Sequence, residues 1–95
     1  MKVCYRAQAL ADLDSIFQFL NERSPAGANN VLRAIRSAID EIAENPLAAL
    51  RTSDPEIRVK ILGRYRYKIF YSATADFVEI VHVRHTSRRP WLGRP

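Results

Sequence analysis

The chain has 95 residues, 47% of them apolar and 26% charged, enough for one domain with a modest core and too few for two. Fifteen Lys and Arg against ten Asp and Glu give a formal net charge of +5. No apolar run approaches the roughly 20 residues that span a bilayer, the start lacks a leader pattern, and the lone Cys4 cannot form an internal disulfide. The expectation is a cytoplasmic domain over residues 1–95 with a buried thiol, no membrane partner, no metal and no cofactor.

Lys2 to Arg6 alternates Val3 and Tyr5 against Cys4 and reads as a short first strand. Over residues 7–23 the period changes. Leu10, Leu13, Ile16, Phe17 and Leu20 form one helical stripe, with Asp12 and Asp14 off it as solvated charges. Ser24-Pro25 reads as an N-cap serine followed by proline at the first position of a second helix. Val31, Leu32, Ile35, Ile39 and Ile42 make the stripe of that helix, and Asn45-Pro46 ends it. Residues 46–56 carry two prolines and little periodicity, a loop.

Residues 57–85 read as three strands. Ile57, Val59 and Ile61 alternate with Arg58 and Lys60, and Tyr67, Ile69 and Tyr71 with Arg66, Lys68 and Phe70. The apolar members are expected on the core side, and Gly63-Arg64 and Thr74 to Asp76 as turns. Phe77 to Val83 is apolar on both faces apart from Glu79 and His82, which suits an interior strand beside the first one. Residues 86–95 form a basic tail holding Arg88, Arg89 and Trp91. The expected fold is α+β in the order β-α-α-β-β-β, with a helical hairpin on one face of a small, mainly antiparallel twisted sheet.

Charge is unevenly placed. Residues 1–50 carry five cations against six acids, whereas residues 51–95 carry ten against four. A basic half on a near-neutral scaffold points to an anionic partner. Arg58, Lys60, Arg66, Lys68 and Arg84 are expected to converge on the sheet face away from the helices, with Arg88, Arg89 and Trp91 extending that surface. The tail has two readings: an arm with an aromatic anchor for a partner, or a segment whose Trp91 folds back over the sheet edge. Tyr67 and Tyr71 are expected in the core, and Tyr65 outside it. His82 and His85 lack a ligand pattern for a metal. His85, held neutral by neighbouring cations, is a candidate general base.

Together these stretches resemble the ParE/RelE superfamily of bacterial type II toxins. The likeness is carried by Ala9 to Ile16, by Ile42 to Pro46, by Arg58-Val59, by Tyr67 to Tyr71, and by Val78 to His85 leading to Arg88-Arg89-Pro90-Trp91. It implies a toxin neutralised by a cognate antitoxin, and the antitoxin segment is expected either to cover the basic surface or to add a strand or helix at the helix pair and sheet edge. Two activities divide the superfamily: ParE-like inhibition of DNA gyrase, and RelE-like cleavage of mRNA on the ribosome. In the second, Arg58, Lys60, Lys68 and His85 would be the catalytic group. Where RelE-like enzymes carry a C-terminal tyrosine, this chain offers only Trp91, which has no phenol to exchange a proton. The ending His85 to Arg89 is similar to ParE-like and plasmid-stabilisation members, so the ParE branch is favoured, with no catalytic residue firmly assigned.

Overall fold

Ser24 separates the two helices by the mechanism its sequence context predicts. Its hydroxyl accepts the Gly27 N–H at 3.1 Å, and Pro25 stands at the start of α2. In the computed structural model, which describes residues 1–86, α1 spans Ala7–Arg23 and α2 spans Pro25–Glu44. Ser24→Ala should cost about 1 kcal/mol, the usual worth of an N-cap, read as a lower midpoint in urea unfolding.

The strands are β1 Lys2–Tyr5, β2 Leu50–Arg51, β3 Arg58–Leu62, β4 Tyr67–Ala73 and β5 Phe77–His85, in sheet order β1-β5-β4-β3-β2. β1 runs parallel to β5, and the other pairs are antiparallel. β2 lies inside the stretch expected as a loop: two residues pairing with Val59 and Arg58, too short to show a period. The β3–β4 connection is four residues, Gly63 to Arg66. Arg66 therefore lies in the turn with φ 57°, not on a strand face beside Lys68.

Both helices cover one side of the sheet. The main core joins Ala9 of α1 and Val31, Ile35, Ile39 and Ile42 of α2 to Ile69, Tyr71, Val78, Ile80 and Val83. Tyr67 and Tyr71 lie in it, as expected, and Tyr65 packs half-buried at its margin. The α1 stripe is rotated slightly from the predicted one: Ala9 is its buried member and Leu10 is 54% exposed. Cys4 is half-buried in β1.

A second, smaller cluster forms on the opposite side from Ile57, Phe70 and Val81, with Val59 against it. A register shift between Phe70 and Tyr71 makes room for it: Phe70 faces His82 while Tyr71 faces Ile80, so Val81 has no cross-strand partner. The extra residue lets β5 keep Ile80 and Val83, three positions apart, in the helix-side core while Val81 points to the other. No helix of the described residues is long and apolar enough to cross a membrane.

Candidate functional site

Cross-strand neighbours point to the same side of a sheet, so the register of β3 assigns its cations. Arg58 stands opposite Tyr71, Lys60 opposite Ile69 and Leu62 opposite Tyr67, all of them core residues on the helix side. Arg58 and Lys60 therefore face the helices, and Ile57, Val59 and Ile61 lie on the other face. This reverses the expected orientation of β3. The physical reason lies in its place next to the sheet margin, with only the two-residue β2 outside it. Long cationic side chains fit there because they find acceptors. Arg58 donates to the carbonyls of Leu47 at 3.2 Å and Ala49 at 2.9 Å, and Lys60 Nζ lies 2.7 Å from Glu41 of α2.

Lys68 is on the opposite face. It pairs with Ile61 on one side and Arg84 on the other, so Lys68 and Arg84 stand next to each other on the open surface. The convergent site of Arg58, Lys60, Arg66, Lys68 and Arg84 does not form: the sheet itself divides it, and Arg66 sits in the turn. The open face is instead mixed in character. Leu50 and Ile61, 62% and 49% exposed, extend from Val59 and Phe70, and the Lys68–Arg84 pair borders them. Glu79, the acid on β5, is engaged by Arg6 at 3.0 Å. Lys60 belongs to a second concavity, a groove of about 570 Å³ between α2 and β3 whose walls include Arg33, Arg64 and Tyr65. Neither Arg33 nor Arg64 was singled out in the sequence, because each is isolated in its own element and only the packing of α2 on β3 brings them together.

The two histidines behave differently. His85 lies opposite Tyr67, its ring edge-on at 5.2 Å between centroids. It also walls a cleft of about 530 Å³ between α1 and β5, lined by Asp12, Ser15, Ile16, Phe19, Val83 and Arg84 among others. His82 meets Asp12 through Nδ1. The same carboxylate oxygen accepts the backbone N–H of Val83 at 2.9 Å.

Asp12 is thus a bridge from α1 to the edge of β5, not a solvated helix charge. The reason is geometric. β1 pairs with β5 only from Phe77 to Ile80, its ladder extended by the Arg6 N–H to the Ile80 carbonyl at 2.9 Å. Beyond that point no strand of the described residues pairs with this side of β5, and Asp12 supplies the acceptor a longer β1 would have provided. Nothing in the spacing of Asp12 signals this role. The short first strand beside a nine-residue partner is the available clue. Arg88, Arg89 and Trp91 lie outside the described residues.

Similarity to known proteins spans nearly the whole chain. A family model described as the ParE toxin of the type II toxin–antitoxin system parDE matches residues 3–90. The chain is 30% identical over 87 residues to Toxin RelE2 of Caulobacter vibrioides, covering 92% of this chain and 97% of that protein. A solved structure titled as the chromosomal ParDE TA system from P. aeruginosa superposes with a TM-score of 0.78 at 19% identity, covering 92% of this chain and 97% of that one. It shares the arrangement of two helices on a five-strand mixed sheet. The chain belongs to the ParE toxin family of type II toxin–antitoxin systems.

Proposed function

We propose that this toxin acts in the cytoplasm as a replication poison: it binds DNA gyrase through the open sheet face, and its cognate antitoxin neutralises it by covering that face. One observation carries the choice over RNA cleavage: the division of the cations by the sheet. Cleavage by 2′-hydroxyl attack would need Arg58, Lys60, Lys68 and His85 around one scissile phosphate, with donors held at the developing charge. Here Arg58 and Lys60 are engaged on the helix side by loop carbonyls and by Glu41, while Lys68 lies on the other. What the open face offers suits a protein partner: exposed Leu50 and Ile61 beside Lys68 and Arg84, an apolar centre with a cationic border. An antitoxin segment with acidic and apolar residues would match the same features. The family match to ParE favours the same reading, and a role in plasmid stabilisation would follow from it.

The test is direct. Added to purified gyrase, the protein should inhibit supercoiling, and stoichiometric antitoxin should restore it. The double variant Lys68→Glu/Arg84→Glu should weaken inhibition by about tenfold or more, equivalent to roughly 1.4 kcal/mol of binding. Supercoiling that is indifferent to the protein, together with codon-positioned cuts on translating ribosomes, would replace this reading with the RelE-like one, to which the likeness to Toxin RelE2 points.

A further inference from the structure

The groove between α2 and β3 has no part in the gyrase reading, and charge is distributed unevenly along it. Lys60 and Glu41, at one end, neutralise each other across 2.7 Å. Arg33 of α2 and Arg64 of the β3–β4 turn line the other end. Both are exposed, and among the described residues neither has an ion-pair partner. The sequence explains why. One turn from Arg33 on α2 stand Asn29, Asn30, Arg36 and Ser37, and residues 57–75 hold five cations and no acid. Two guanidinium groups that share a groove and lack an acid create a positive potential that an anion would relieve. Tyr65 adds an aromatic surface at this end: half-buried, it lines the groove with the Arg64 guanidinium 5.4 Å from its ring centroid.

Size and the order of charges select the occupant. Arg33 and Glu41 are eight residues apart on α2, roughly 12 Å along its axis, and the groove holds about 570 Å³. That suits a small ligand with phosphate groups at one end and a ring system beside them. Guanidinium is the side chain best matched to phosphate oxygens, which it can bond in pairs. Asn30 and Ser37, also in the walls, offer neutral groups for sugar hydroxyls. A nucleic-acid strand or an acidic peptide fits less well: each repeats its negative charge along its length and would set some of it against Glu41. We propose that this groove binds a nucleoside di- or triphosphate, its phosphates held by Arg33 and Arg64 and its base against Tyr65. This is a second function for the chain, independent of whether gyrase or the ribosome is the target.

Isothermal titration of the full-length protein with ATP, in buffer without magnesium, reads binding directly. One ATP should bind per chain. Tripolyphosphate and adenosine should each bind at least about tenfold more weakly, because each fills only part of the site. Arg33→Gln/Arg64→Gln should weaken ATP binding by about tenfold or more. Arg36→Gln/Arg51→Gln removes the same net charge outside the groove walls and should change binding by less than about threefold. Tyr65→Leu should weaken ATP but leave tripolyphosphate as it was. The four arginines are exposed, so the fold should tolerate both double variants, with far-UV circular dichroism unchanged. No ATP binding at millimolar concentration would overturn the proposal. So would equal losses in the two double variants, which would leave only the general attraction of anions to a basic protein. Tripolyphosphate binding as tightly as ATP would reduce the groove to a phosphate site. ATP displaced more effectively by decathymidylate or hexaglutamate than by unlabelled nucleotide would make it a strand or peptide surface, and either result rejects a nucleotide.

Discussion

Tyr71→Ala should be among the most damaging single substitutions in this protein, lowering stability by about 3–5 kcal/mol. For a domain of this size that is a large part of a total of roughly 5–14 kcal/mol, and the melting temperature should fall by on the order of 15–30 °C. Tyr71 has no solvent exposure and sits in the central strand pair, facing Ile80. Its ring closes the core, and its hydroxyl donates to the Pro46 carbonyl at 2.5 Å, tying the end of the helical hairpin to β4. Tyr71→Phe separates the two contributions: it keeps the ring, removes the donor, and should cost about 1–2 kcal/mol.

The phenol also gives the protein an alkaline limit. Burial raises its pKa above the usual tyrosine value, against a lowering by Arg58 and by a hydrogen bond from the Ala49 backbone. A group whose folded pKa is raised binds its proton more tightly in the folded state. Its contribution is therefore complete below the unfolded value of about 10 and is lost as pH rises through the higher folded value. Unfolding midpoints measured across that alkaline window should fall more steeply for the wild type than for Tyr71→Phe. Parallel curves would show that burial of this phenol does not govern the alkaline loss.

The same residue shows what the sequence could and could not reveal. Alternation placed Tyr67, Ile69 and Tyr71 on one face of β4 correctly, and the helical periods, the Ser24 cap and the pairing of β1 with β5 were equally legible. Alternation separates two faces but does not say which one the helices cover. For β4 the bulkier face was the core. For β3 the same logic failed, because Ile57 and Val59 pack against Phe70 and Val81 in a second cluster. The clue was Phe70 amid the supposedly polar face of β4, together with the apolar character of β5 on both sides: interior strands of that kind require cover on both faces. Once a second cluster exists, an outer strand can turn its apolar side to it and leave its cations to Glu41 and the 47–49 carbonyls. Arg58 and Lys60 carry the error of their strand, and Arg66 drops out of the candidate site separately, because the four-residue turn takes it off the β4 face.

Asp12 provides the sharper test of how α1 is fixed to the sheet. Asp12→Ala should cost about 2–3 kcal/mol, because the amide of Val83, a residue only 3% exposed, loses its acceptor where no strand of the described residues can replace it. Asp14 is the matched control: two positions along the same helix, it contacts only exposed Gln18 at 2.9 Å, and Asp14→Ala should stay within about 0.5 kcal/mol of wild type. Asp12→Asn should fall between, since an amide oxygen can still accept from Val83 but brings no charge to His82. Hydrogen exchange supplies the local readout. In Asp12→Ala the Val83 amide should lose protection beyond the global change, while Tyr71 and Ile69, paired within the sheet, should follow global stability alone. The side of β5 that no strand of the described residues pairs with should also promote self-association at high protein concentration, as unpaired edges do. Equal stability losses for Asp12→Ala and Asp14→Ala would mean that the carboxylate does not hold the edge, and that the packing of Leu13, Ile16 and Leu20 alone seats α1.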